Sequence, residues 1–113
     1  MLHTYHCLTV PATKPAAFYE DTDENLDEIF AKKMKKLCTQ LKTIKMTSPE
    51  HSINVDWMID KLASAVKTGR ELHAELAFTD CYILVEYVPK EGFLLIIKRL
   101  PDGTVSVRSY QKA

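Results

Sequence analysis

Three potential metal ligands lie close together near the start of the chain: His3, His6 and Cys7. Imidazole and thiolate groups are the ligands that zinc prefers in proteins. If this segment is a strand, alternate side chains point to opposite faces, so His3 and Cys7 share one face while His6 lies on the other. The sequence offers no second cysteine or histidine pair with ligand spacing. It therefore predicts no metal site, but two surface histidines and a core thiol.

Nucleophilic and phosphate-binding motifs are the next signatures to consider. A nucleophilic enzyme needs an activated serine or cysteine beside a base, and the sequence has no strand-turn-helix motif that would present one. A phosphate-binding loop needs closely spaced glycines, whereas Gly69, Gly92 and Gly103 are far apart and suit a helix end and two turns. The sequence therefore predicts no catalytic residue and no cofactor, and favours a protein that is not an enzyme.

A metal-independent ribonuclease is the enzyme class that these observations leave open, because its general acids and bases can be scattered along the chain. The predicted strands carry five residues that would gather on one exposed sheet face: His73, Lys98, Arg99, Arg108 and Tyr110. The simpler interpretation makes them ordinary polar residues on the solvent side of an antiparallel sheet. We prefer that interpretation and keep the ribonuclease as the alternative function.

An acidic segment that begins with two aromatic residues is the strongest candidate for a binding surface. Its members are Phe18, Tyr19, Glu20, Asp21, Asp23, Glu24, Asp27 and Glu28. Carboxylates steer a basic protein surface towards such a segment, and tyrosine is a common anchor in protein interfaces. The alternative is a helix N-terminus, where acids interact favourably with the helix dipole and need no partner. We predict a small non-enzymatic interaction module, of the inhibitor, immunity or accessory kind, that binds one basic protein.

Charge and composition restrict the remaining classes. The 113 residues carry 15 basic and 15 acidic side chains, so no net charge draws the whole chain to nucleic acid. The dense basic run contains Lys32, Lys33, Lys35 and Lys36, three of which lie opposite the apolar stripe of a predicted helix. The run contains no aromatic residue, which argues against nucleic-acid binding. No apolar stretch reaches the length of about 20 residues that a membrane span needs. Three widely spaced cysteines predict free thiols in a reducing, cytoplasmic location.

Two helices are predicted from apolar residues that recur every three or four positions. The first has a cap between positions 21 and 23 and an apolar stripe of Leu26, Phe30, Met34, Leu37, Leu41 and Ile44. The second begins near Ser52 or Asn54 and stops at Gly69, which suits a left-handed cap. Its apolar face carries Val55, Met58, Ile59, Leu62 and Val66. Trp57 lies one position off this face, and we expect it to close the core.

Strands are predicted at both ends of the chain. One is expected from His3 to Val10. Four more follow the helices, because β-branched and apolar residues alternate with polar ones between turn signals. Their ranges are 72–78, 81–88, 93–97 and 104–110, and the central residues Phe93 to Ile97 are expected to form the most buried strand.

These elements predict one α+β domain over residues 1–113, in which two helices pack on one face of a four- to five-stranded, mainly antiparallel sheet. The order β-α-α-β-β-β-β is similar to that of the small ribosome-dependent mRNA-cutting toxins, and this resemblance implies the ribonuclease alternative. No helix follows the last strand, so its edge is expected to be covered either by the strand at His3 to Val10 or by a second copy in a homodimer.

Overall fold

Two helices pack on one face of a five-stranded sheet in the computed structural model, which describes residues 19–22 and 25–112. The helices are α1 (Leu26–Thr47) and α2 (Ser52–Thr68), joined by a 3-10 turn at Pro49–His51. The strands are β1 (Tyr19–Thr22), β2 (Leu72–Ala77), β3 (Tyr82–Val88), β4 (Phe93–Arg99) and β5 (Val105–Lys112). The α+β class and the single layer of two helices predicted from the sequence are confirmed.

The sheet has the strand order β1-β5-β4-β3-β2. Strands β2 to β5 form an antiparallel meander, whereas β1 runs parallel to β5 and pairs with its last four residues, Ser109 to Lys112. The strand expected at His3 to Val10 lies outside the described residues. No strand was predicted within the acidic segment, but Tyr19–Thr22 form β1.

Helix α1 begins later than the sequence indicated. The predicted cap at positions 21 to 23 is wrong: Asn25 is the N-cap, and its side-chain oxygen accepts a hydrogen bond from the backbone N–H of Asp27 at 2.9 Å. Helix α2 ends where expected, because Gly69 has φ +67° and its N–H donates to the carbonyl of Ala65. That left-handed conformation costs glycine little and other residues more.

The core lies between the helices and the sheet. The predicted stripe of α1 is buried throughout, and α2 contributes Val55, Met58, Leu62 and Ala65. Phe30 of α1 stacks on Tyr87 of β3 with ring centroids 3.9 Å apart. The Tyr87 hydroxyl donates to the Asp27 carboxylate, which satisfies the one polar group of a fully buried ring. Burial raises the pKa of Tyr87, and its hydrogen bond to Asp27 raises it further.

Three predictions about burial are wrong. Val66, which the sequence placed on the apolar face of α2, is 38% exposed. Trp57 does not close the core, because 46% of its surface is exposed. Strand β4 holds the middle position of the sheet, but β3 is more deeply buried, with Ile83, Leu84, Val85 and Tyr87 all 0% exposed. The reason is that the helices lie over β3 on one face, where Phe30 stacks on Tyr87, while Leu84 on the other face is buried as well.

Candidate functional site

The five residues of the ribonuclease alternative do not share one face of the sheet. Paired residues lie on the same face, and faces alternate along a strand. Lys98, Arg108 and Tyr110 therefore lie on the helix-covered face, together with buried Leu94 and Ile96. The other two, His73 and Arg99, lie on the opposite face. The expectation that all five gather on one exposed face is wrong.

Two of the residues on the helix-covered face, Lys98 and Arg108, join lysines of α1 to form a basic patch. We define the basic patch as Lys33, Lys36, Lys98 and Arg108. Lys33 lies over the Tyr110 ring, with its Nζ atom 5.8 Å from the ring centroid. Residues 33, 36 and 40 share one flank of a helix. Since Lys33 contacts Tyr110 of β5 and Gln40 contacts Lys98 of β4, this flank of α1 faces β4 and β5. The Lys98 Nζ atom donates to the side-chain oxygen of Gln40 at 3.0 Å and so fixes that contact.

The pKa of Lys98 reflects the proximity of these positive charges. Partial burial lowers the pKa of Lys98, and the positive charges of Lys36, Lys33 and Arg108 lower it further. Among residues 25–112, no carboxylate lies within ion-pair distance of Lys33, Lys36 or Lys98. Like charges held together in this way repel, and an anion placed among them would remove that cost.

A groove continues the basic patch along α1 towards the turn between β4 and β5. Its volume is about 460 Å³. The polar lining comes from Gln40, which also contacts Lys98, from Thr43 and Thr47, and from the Asp102 carboxylate in the β4–β5 turn. The apolar lining consists of Ile44, Leu100 and Pro101. The surface therefore combines positive charge at one end with apolar contacts and one carboxylate at the other.

The acidic segment is divided among different elements. Tyr19, Glu20 and Asp21 belong to β1, while Asp27 and Glu28 lie in the first turn of α1. Asp27 is engaged with the Tyr87 hydroxyl, and Glu28 is exposed. The three remaining members of the segment, Phe18, Asp23 and Glu24, lie outside the described residues. Binding of a basic protein by this segment stays a prediction.

A histidine and an aspartate that the sequence did not single out meet beside a cysteine. His51 Nε2 lies 3.1 Å from the Asp80 carboxylate, and its ring stacks on Phe78 with centroids 3.7 Å apart. The neighbouring Cys81 is fully buried, and burial raises the pKa of its thiol. A buried, protonated thiol is a poor nucleophile. We therefore assign the pair a structural role, which is to hold the turn between the helices against the β2–β3 hairpin.

Within residues 25–112 no group of three or more metal-binding side chains converges. His3, His6 and Cys7, which the sequence excluded as a joint metal site, lie outside the described range. None of the helices described is both long and apolar enough to span a bilayer. No family model, curated protein or solved structure matches the chain. The functional argument therefore depends on the geometry of the chain itself.

Proposed function

We propose that this chain is a small non-enzymatic interaction module whose basic patch binds an acidic segment of a protein partner. The observation that carries the proposal is the convergence of Lys33, Lys36, Lys98 and Arg108 from three elements. Partial burial lowers the pKa of Lys98, and the charges of the other three residues lower it further. A chain with 15 basic and 15 acidic side chains has no overall charge that would require such a cluster. The cluster is therefore a local feature, and local positive potential selects for negative partners.

The chemistry around the basic patch favours protein over nucleic acid. Single-stranded nucleic acid is bound by aromatic rings on which the bases stack. Tyr110 is the aromatic residue at the patch, but it is only 7% exposed and lies beneath Lys33. The groove beyond Gln40 is lined partly by Ile44, Leu100 and Pro101. An extended segment with carboxylates followed by an apolar side chain fits these two surfaces in order.

This proposal keeps the interaction module expected from the sequence but reverses the charge of its partner. The acidic segment remains a competing surface, through Glu28 and its neighbours, for a basic partner. The ribonuclease remains the second candidate, because Lys98, Arg108 and Tyr110 share one face and a lysine with a lowered pKa can act as a general acid or base.

Binding of defined probes by the full chain would distinguish these functions. The first probe is a fluorescein-labelled peptide of glutamates followed by leucines, and the others are single-stranded and double-stranded RNA of similar charge. Fluorescence anisotropy gives each affinity at low and moderate salt. We expect the peptide to bind more tightly than either RNA, because only the peptide can fill the apolar groove. We also expect the double variant K33E/K36E to weaken peptide binding about tenfold or more.

The matched control is K42E/K67E, which makes the same change of charge at two exposed lysines outside the patch. Equal weakening by both double variants would show that only net charge matters, and would contradict the proposal. Tighter binding of a basic peptide that is lost in E28K would favour the acidic segment instead. Cleavage of either RNA by the wild type, abolished in K98Q, would establish the ribonuclease.

A further inference from the structure

Strand β2 forms an edge of the sheet and has one neighbour, β3, among the described residues. Its other side carries backbone N–H and C=O groups that are free to pair with another strand. Proteins commonly protect such edges with proline, lysine or a β-bulge. Strand β2 has none of these, since its sequence is Leu-His-Ala-Glu-Leu-Ala and its register with β3 is continuous.

The residues whose backbone points outwards can be identified from the neighbouring turn. The N–H of Phe78 donates to the carbonyl of Cys81 at 2.8 Å, so Phe78 directs its polar groups towards the chain of β3. These directions alternate along an antiparallel strand. Leu76 and Ala74 therefore also pair with β3, whereas His73 and Glu75 direct their N–H and C=O groups towards the open edge.

The side chains select one register for pairing with an identical strand. A two-fold axis through Ala74 places His73 opposite Glu75 of the second copy, and this contact occurs twice. The same register places Leu72 opposite Leu76, and small Ala74 opposite itself. The two adjacent registers that keep outward residues opposite each other place either His73 or Glu75 opposite itself. In these two registers the His73–Glu75 contacts between copies are lost, and where Glu75 is opposite itself the two carboxylates repel.

Helix α2 would supply a second contact between the two copies, near Ala74 of β2. It packs over β2, and its Asp56 forms an ion pair at 2.8 Å with Lys45 of α1, which marks the flank that faces α1. At 100° per residue, Trp57 and Lys61 lie on the other flank. Their side chains contact each other, with Lys61 Nζ 5.6 Å from the Trp57 ring centroid.

The connection through Gly69 sets the height of Trp57 relative to β2. From Gly69 to Ala74 the chain advances five residues, the last three of them in β2, and at ~3.3 Å each an extended chain covers about 17 Å. About eleven helical residues cover the same distance in the opposite direction at ~1.5 Å each. They end next to Trp57, so this exposed ring lies level with Ala74 and near the same two-fold axis.

We propose that a second copy of this chain pairs with β2 antiparallel about a two-fold axis through Ala74, with Trp57 of the two copies meeting across that axis. The two sheets become one continuous sheet, and the α2 helices lie side by side on its helix-covered face. The homodimer expected from the sequence used the edge of β5, but β1 pairs with the last residues of that strand. The self-complementary side chains, His73 and Glu75, instead belong to β2.

Sedimentation equilibrium of the full chain over about 1 to 200 µM tests the dimer, because association depends on concentration. We expect a species of twice 12.9 kDa at the upper end. The variant E75K should weaken the dimer about tenfold, since it replaces two complementary contacts. H73E should do the same by placing two glutamates opposite each other. The double variant H73E/E75K places a glutamate opposite a lysine in the same register and should return to within about threefold of the wild type.

Trp57→Ser provides a test that leaves the strand unchanged, and it should also weaken the dimer. The matched control is V105E, which places a charge at an exposed residue of β5. A wild type that stays at 12.9 kDa throughout the series would overturn the proposal. So would a double variant weaker than both single variants, or a dimer that dissociates in V105E but not in E75K. Circular dichroism of each variant establishes that it is folded.

Discussion

The hydroxyl of Tyr87 offers a direct test of how the core is held together. The ring is 0% exposed and stacks on Phe30, and the hydroxyl donates to Asp27 at the start of α1. Tyr87→Phe keeps the ring and its stacking but removes the donor. A hydrogen bond to a charged group contributes about 1.5–3 kcal/mol. Because exposed Asp27 can turn to water, we expect a loss in free energy of unfolding near the lower limit, about 1.5 kcal/mol.

Removing the acceptor, the Asp27 carboxylate, should lower the free energy of unfolding more than removing the donor, the Tyr87 hydroxyl. Asp27→Ala leaves the Tyr87 hydroxyl buried without a partner, which costs about 1–3 kcal/mol. It also removes an acid from the first turn of α1, which costs a further ~0.3–1 kcal/mol. Asp27→Asn retains an acceptor oxygen and should fall between the wild type and Asp27→Ala. In a double-mutant cycle, the Tyr87→Phe and Asp27→Ala changes should be less than additive.

The raised pKa of Tyr87 predicts how stability depends on pH. Above about pH 10, the unfolded chain releases this proton while the folded chain retains it. The folded state then binds more protons, so stability falls as pH rises, by up to ~1.4 kcal/mol per pH unit for this group. Below pH 10 the contribution is complete and constant. The Tyr87→Phe variant should lack this component of the alkaline slope.

Urea denaturation at pH 7 and at several values above pH 10 measures both effects. Tyr82→Phe is the control, since it removes a hydroxyl that donates to Glu75 at 2.6 Å near the surface, and it should cost less at pH 7. The reasoning is refuted if Tyr87→Phe is as stable as the wild type at pH 7. It is also refuted if the variant keeps the full alkaline slope.

Three further predictions concern turns and charge. Gly92→Ala should lower the melting temperature more than Gly69→Ala: both have positive φ, but a Cβ at Gly92 would lie 2.6 Å from Lys112 Cβ, whereas the space around Gly69 is open. His51→Ala removes the ring stack and the carboxylate contact that join the helical turn to the β2–β3 hairpin, and should cost about 1–2 kcal/mol in denaturant unfolding. Lys36→Gln should raise stability at low salt by relieving repulsion in the basic patch, and the gain should shrink as salt is added; a gain that is independent of salt would contradict this.

Local patterns in the sequence were sufficient for most of the fold. The apolar stripe of α1 and the end of α2 at Gly69 follow from periodicity and backbone preference, so they are confirmed. Strand β1 was missed because its four residues, two of them acidic, carry no alternating apolar pattern. Its conformation depends on pairing with β5, a partner far along the chain, which no local signal encodes. Trp57 was misplaced because its type suggested burial while its helical position pointed outwards.

The sequence identified the residues of the basic patch but not their convergence. The lysine run on α1 and the residues Lys98 and Arg108 were each recognised, but they were assigned to unrelated surfaces. Their convergence depends on which flank of α1 faces β5, and that is decided by packing between the helices and the sheet. The separation of His73 from Lys98 has a simpler cause: a sequence assigns each residue a face within its own strand, while the register between strands decides which faces coincide.

The parallel pairing of β1 with β5 also has a consequence for the order in which the chain folds. The pair of helices and the meander from β2 to β5 are built from contacts between elements that follow one another in the chain. Few residues separate the elements in each of these contacts. Tyr19 pairs with Ser109, so this contact closes a loop that contains nearly all of the described chain. The entropic cost of closure grows with loop length. The short parallel strand is therefore expected to dock last, after its template has formed, and during synthesis it must wait until the final residues of β5 have left the ribosome.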